Sequence, residues 1–151
     1  VTGDSVEVDS NDNITALADP VGNASTGSMW PAFANKWEEL TGRRAAFIEA
    51  AQGGTALLPN ASAPWSPNGA LRANAVSLCN GARDALNSVQ AYTVNNVYVL
   101  WSQGETDAET LNGTTVTAAL YDDALEVLAD YFAANITGFT KMGVIALGTK
   151  A

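Results

Sequence analysis

Apolar residues recur along this chain in two rhythms. Trp30, Phe33, Ala34, Trp37 and Leu40 fall three and four apart. Pro31 suits a first helical turn and Gly42 ends the run, so the spacing predicts a helix. From Gly69 to Ala91 the same spacing links Leu71, Ala75, Leu78, Ala82, Ala85, Leu86 and Val89 and predicts an amphipathic helix. Val116, Leu120, Ala124, Val127, Leu128 and Tyr131 predict another, from about Thr115 to Ala134. Between them lie short runs with no helical period: Ala45–Ala50, Val97–Trp101 and Gly143–Leu147. Runs of that length and make-up predict buried strands. Residues 1–27 are polar and predict a loop, with one short strand at Ser5–Val8. Residues 57–69, with Pro59, Pro64, Pro67 and Trp65 and no period, predict a long loop of the kind that carries function.

The order is helix, strand, helix, strand, helix, strand. Such alternation with continuous apolar strands predicts one α/β domain over residues 1–151, its parallel sheet covered on both faces. Right-handed crossovers place the loops after Ala50, Trp101 and Leu147 at one sheet edge. Gln52-Gly53-Gly54 and Gln103-Gly104-Glu105 are therefore expected to be neighbours.

Composition narrows the function. The chain has 151 residues, 47% of them apolar, which is enough for one cored domain. A net charge of −9 and a pI near 4.1 argue against nucleic acid or an anionic membrane as partner. No run approaches the roughly 20 apolar residues of a membrane span. No signal-peptide pattern is visible, and a chain opening on Val1 is compatible with removal of an upstream segment. Cys79 is the sole cysteine, in a helical apolar pattern, and reads as a buried inert thiol. With no histidine, neither a zinc cluster nor the usual imidazole base is available. Five Asn-x-Ser/Thr sequons, at Asn13, Asn23, Asn60, Asn112 and Asn135, read as chance in an Asn- and Thr-rich chain.

The chemistry is concentrated where strands end. Gly53-Gly54-Thr55 follows the first long strand, Trp65-Ser-Pro-Asn-Gly-Ala-Leu71 enters a helix, and Trp101-Ser-Gln-Gly-Glu-Thr-Asp107 follows the second. This set resembles the SGNH-hydrolase superfamily, in particular the carbohydrate esterases grouped with sialic acid-specific acetylesterases. The stretch from Leu17-Ala-Asp-Pro-Val-Gly22 to Trp30-Pro-Ala-Phe33 is similar too, so the resemblance covers essentially the whole chain.

The resemblance implies a three-layer α/β/α fold with a parallel flavodoxin-like sheet. It also implies serine ester hydrolysis on an acetylated carbohydrate, such as an O-acetyl sialic acid, without metal or cofactor. The Gly54 N–H and the Gln103 carboxamide would be oxyanion donors, and Glu105 would orient neighbours or bond the catalytic histidine. Gly53, Thr55, Trp65 and Gly104 would shape the substrate side. Such donors suit the task, because glycine permits close approach and an uncharged carboxamide donates without being lost to deprotonation. Asp107 is expected to be a loop or helix-cap residue. Trp65 has two readings, a platform for a sugar ring or an anchor for its loop.

The chain departs from that family at both ends. It has no Gly-Gln-Ser-Asn block and no Asp-x-x-His block. Gly3-Asp4-Ser5 is a poor stand-in for the nucleophile block, because only Val1 and Thr2 precede it. Without the serine-bearing strand, Ala45–Ala50 and Val97–Trp101 would flank a gap with unpaired backbone groups. The expectation is the middle part of a larger esterase domain, inactive alone, from an extracellular or virion-associated protein. The alternative is a glycan-binding or structural module of a phage tail or cell-surface protein that kept the fold without the chemistry. A nucleotide-binding domain fits poorly, since Gln52-Gly-Gly-Thr55 lacks both the phosphate-loop lysine and the Gly-x-Gly-x-x-Gly spacing.

Overall fold

A computed structural model describes residues 5–17, 29–58, 64–110 and 117–145. In chain order the elements are β1 (Val6–Val8), β2 (Ile14–Ala16), α1 (Trp30–Thr41), β3 (Ala46–Ile48), α2 (Ala70–Ser88), β4 (Val97–Trp101), α3 (Glu105–Thr110), α4 (Ala118–Asn135) and β5 (Phe139–Val144). The fold is mixed α/β. It divides into two compact units, Val1–Ala50 with Leu78–Val94, and Ala51–Ser77 with Asn95–Ala151.

The first unit holds a three-stranded sheet in the order β2-β1-β3. β1 and β3 run parallel, Val6 opposite Ala46, whereas β2 returns antiparallel to β1. The sheet is therefore mixed, where a parallel one was expected. β2 escapes sequence reading because its three residues sit inside a polar stretch. Its turn is built by Asp9, whose Oδ1 accepts from the Asn11 and Asn13 N–H groups at 2.8 and 2.9 Å. Such side-chain-to-backbone bonds let Asp and Asn replace a hairpin glycine. Asp12 adopts a φ of 62° in the same turn.

Val6, Val8, Ala82 and Leu86 form the core of this unit, with Ile14, Ile48, Tyr92 and Val94 packed against it. Helix α1 starts with Pro31 in its first turn and ends at Gly42, whose φ of 65° lets its N–H reach the Glu38 carbonyl. Its stripe is buried unevenly. Ala34 is buried, Trp30 and Trp37 are half-buried around Phe47 and Phe33, and Leu40 is 71% exposed. Cys79 is half-buried, and burial pushes its thiol pKa up, so it stays protonated at neutral pH.

The second unit pairs β4 with β5 in parallel, with an irregularity between Val97 and Tyr98. β5 lies earlier than the predicted Gly143–Leu147, and positions 146–151 lie outside the described residues, with the loop expected after Leu147. A continuous apolar run predicts a β4 buried on both faces. Instead it alternates: Trp101 is buried, while Tyr98 and Leu100 are exposed. Helix α4 starts one turn later than predicted because Thr117 caps it, accepting the Leu120 N–H at 3.2 Å. Val116 and the stretch Leu17–Gly22 beyond Leu17 lie outside the described residues. Leu128 and Phe132 on α4 and Ile136 just after it are almost fully buried and supply the core here. Among the described residues no helix is long and apolar enough to cross a membrane.

Candidate functional site

The two strand-end loops meet in the second unit. After β3 the chain turns through Gly53 and Gly54, both exposed, and dives into the buried segment Thr55–Leu58. Gly54 has a φ of 70°, a left-handed conformation that strains any residue with a Cβ, and a Cβ there would meet nothing within 4 Å. The glycine therefore serves backbone conformation rather than clearance. Gln103, just past β4, donates from Nε2 to the Thr55 carbonyl at 3.0 Å. The expected proximity of the two loops is thus a direct hydrogen bond.

Asp107 is the centre of the arrangement. It lies in the first turn of α3 and is 1% exposed. Its Oδ2 accepts the Leu57 N–H at 2.9 Å and the Gln103 amide at 2.5 Å, and its Oδ1 accepts the Leu58 N–H at 2.8 Å. A buried carboxylate is costly unless its oxygens are hydrogen-bonded. Three N–H donors meet that demand here, through charge-assisted bonds stronger than neutral ones. The expectation for Asp107 is a loop or helix-cap residue; it lies instead within the short helix α3, and two of its three partners are backbone N–H groups 49 and 50 residues back along the chain.

Tyr121 on α4 closes the network from the other side. Its hydroxyl accepts the Trp101 indole N–H at 3.1 Å and lies 2.6 Å from the Gln103 carbonyl and 2.8 Å from Gln103 Oε1. With one proton, it donates to one of these at a time. Burial raises the Tyr121 phenol above its ordinary pKa; the Trp101 N–H opposes this, and the charges of Asp107, Glu105 and Asp122 add to it. Sequence reading missed Tyr121, because the predicted stripe included Leu120 and Val127, which are exposed, whereas the face of α4 that is buried carries Tyr121, Leu128 and Phe132. A polar tip on a mostly apolar helix was the only available signal.

Thr55 and Trp65 tie the long loop down. The Thr55 hydroxyl donates to the Gln52 carbonyl at 2.7 Å and accepts the Trp65 indole N–H at 2.8 Å. Trp65 is 5% exposed, and its ring meets Trp101 edge-on at 5.1 Å. Of its two readings, the geometry matches the loop anchor. The loop then bends at Gly69, whose absent Cβ would fall 2.0 Å from the Pro64 carbonyl oxygen. Beside this anchor, Leu57, Trp65, Pro67, Val127 and Leu128 line an apolar cavity of about 220 Å³, with Arg72 and Asp123 among its walls. The Arg72 guanidinium lies 4.1 Å from the centre of the Tyr131 ring. Positions 59–63 of the loop lie outside the described residues.

The expected site residues thus divide. Gly53, Gly54, Thr55, Gln103 and Gly104 stand together, and Trp65 is joined to them through Thr55. Glu105 is exposed in the first turn of α3 and stands outside the hydrogen-bonded circuit. Both amide hydrogens of Gln103 are engaged, one by Thr55 and one by Asp107. In this conformation its carboxamide braces the loops, and a ligand oxygen would have to displace one of those acceptors. The Gly54 N–H, by contrast, has no hydrogen-bond partner among the described residues.

Ser5 belongs to the first unit and is 8% exposed. Its Oγ accepts the Ala45 N–H at 3.3 Å, at the edge where β1 and β3 begin rather than where they end. A hydroxyl buried there holds the sheet margin and is not presented as a nucleophile. Compared with protein-family models, curated proteins and solved structures, the chain matches none.

Proposed function

We propose that the second unit is the oxyanion and substrate side of an SGNH-type carbohydrate O-acetylesterase, whose complete domain has the three-layer flavodoxin-like arrangement. The observation that carries this reading is the 3.0 Å bond between Gln103 and Thr55, which joins the two loops whose sequences resemble that family. The N–H of the exposed Gly54, without a partner among the described residues, is available to a developing negative oxygen, and Gln103 can join it by exchanging the Thr55 carbonyl for that oxygen. One such donor is worth about 2.7–4 kcal/mol in a transition state. The substrate is an acetylated glycan, the leaving group a sugar hydroxyl, and no metal or cofactor takes part. The reaction also needs a serine nucleophile and a histidine base. This chain has no histidine and holds Ser5 in a sheet margin, so it is expected to be inactive alone. On this reading both groups are supplied from outside these 151 residues, by a longer chain or by a complementing polypeptide. Setting is part of the same proposal: an extracellular or virion-associated protein.

A second reading is favoured by the closed network itself. A site in which Asp107, Gln103, Tyr121 and Trp101 satisfy one another is also what a glycan-binding or structural module would retain. Acetyl release from p-nitrophenyl acetate and from an O-acetylated sugar separates the two. The reading expects turnover by a longer product of the gene and none by this chain, and loss of turnover in Gln103→Ala. A longer product with the fold but no turnover would establish the module instead.

A further inference from the structure

We propose that Asp107 is the positioning residue of this site. Its carboxylate, and not that of Glu105, holds the Gly53–Gly54 turn and the Gln103 carboxamide in one geometry. The positioning role rests on the oxyanion reading above; the clamp it is built from does not.

A helix-cap aspartate would bond N–H groups of its own helix. Asp107 instead uses both oxygens on a distant segment and on a side chain, accepting from Leu57, Leu58 and Gln103. Two consecutive N–H groups held by one carboxylate fix the orientation of the chain at positions 57 and 58. That in turn fixes the Thr55 carbonyl, which takes the other Gln103 amide hydrogen. The result is a ring: Asp107 to Leu57, back along the chain to Thr55, across to Gln103, and back to Asp107. Gly54 directly precedes Thr55, so the direction of its N–H is set by the same ring. The Gln103 amide cannot turn without releasing Asp107 or Thr55.

The charge is essential to this arrangement. A carboxylate offers about four acceptor sites and no donor, so three inward-pointing N–H groups all find a partner. Asparagine has nearly the same size but would turn an NH₂ group toward one or more of them. Glu105, exposed two residues earlier, stands outside this circuit and has no comparable set of donors among the described residues.

The test is nuclear magnetic resonance on this chain, with acetate as the oxyanion probe. In the wild type, couplings across the hydrogen bonds from the Leu57 and Leu58 nitrogens to the Asp107 carboxyl carbon are expected. Their absence would overturn the clamp without any variant. Asp107→Asn is expected to lower hydrogen-exchange protection at Leu57 and Leu58 by about tenfold or more, the effect of losing a buried charged acceptor. Glu105→Gln is expected to leave that protection unchanged. Acetate is expected to move the Gly54 N–H and Gln103 side-chain signals in the wild type and to lose most of that effect in Asp107→Asn. Protection retained in Asp107→Asn refutes the clamp. Protection lost with the acetate response intact refutes the positioning role. A wild type that ignores acetate while showing the couplings sinks the oxyanion reading, and the positioning role with it, but leaves the clamp standing. Should Asp107→Asn fail to fold, the wild-type couplings decide the clamp, and acetate titration of Asp107→Glu decides the positioning role: a response at wild-type strength despite displaced Leu57 and Leu58 signals overturns it.

Discussion

Removing one oxygen atom, in Tyr121→Phe, probes how far the polar network supports the second unit. The Tyr121 hydroxyl accepts the Trp101 indole N–H and donates to Gln103. Trp101 is 6% exposed, so its N–H would be left almost without access to water. An unpaired buried donor costs about 1–3 kcal/mol, and the donated bond adds about 1 kcal/mol. Tyr121 itself is only half-buried, so a water molecule can partly fill its place. The expected loss is about 1.5–3 kcal/mol. For a chain of about 150 residues each kcal/mol lowers Tm by about 2–4 °C, so a loss of about 2 kcal/mol is a drop of about 4–8 °C. Urea and thermal unfolding followed by near-ultraviolet circular dichroism would measure it, Trp101 being one of four tryptophans that contribute to the signal. A change within about 0.5 kcal/mol, the usual range for surface substitutions, would refute the view that this hydroxyl bridges Trp101 and Gln103 in the folded chain.

The same phenol gives a pH prediction: its pKa is raised by burial, so its stabilising contribution is complete below about pH 10, the ordinary tyrosine value, and is lost as pH rises through the raised folded value. Tyrosinate absorbance should contain a component that ionises above the ordinary tyrosine range, and Tyr121→Phe should remove it. Gly54→Ala should cost about 1–2 kcal/mol in urea unfolding, all of it backbone strain, since the new methyl meets no neighbour. Gly69→Ala and Gly81→Ala should differ in sign. A Cβ at Gly69 collides with the Pro64 backbone and should cost about 3 kcal/mol or more. At Gly81 it meets only the movable Asp12 carboxylate, Oδ1 at 2.8 Å, and helix propensity should return up to about 1 kcal/mol. Chemical denaturation of the two variants would refute this reasoning if their order were reversed.

The three long helices were legible because a 3.6-residue period is a local property of the chain, written in residues such as Leu71, Ala75, Leu78 and Ala82. Strands β1, β3, β4 and β5 were legible to within a few residues as short apolar runs without a helical period, and Gly42 and Pro31 marked the ends of α1 correctly. The Gly53–Gly54 loop does meet Gln103, but not at one edge of a shared parallel sheet as expected: β3 and β4 belong to different sheets, and the meeting is made by the Gln103–Thr55 hydrogen bond. What was missed was either too short to show a period, as with β2 and α3, or polar in a place where polarity suggested solvent. Asp107 is the clearest case: read alone, an aspartate after Gly-Glu-Thr looks like a cap, and its burial cannot be inferred from its neighbours in sequence.

By itself, the sequence determined the α/β character of the chain and its three long helices. Periodicity and turn chemistry act over a few residues, so they survive without knowledge of the fold. Only the tertiary structure decided that the described strands form two sheets, that β4 leaves Tyr98 and Leu100 exposed, and that Asp107 and Tyr121 brace the site. Those outcomes depend on which donor meets which acceptor across 18 to 50 residues of chain. Hydrogen bonding discriminates by direction and by tenths of an ångström, and neither is encoded in the spacing of residue types.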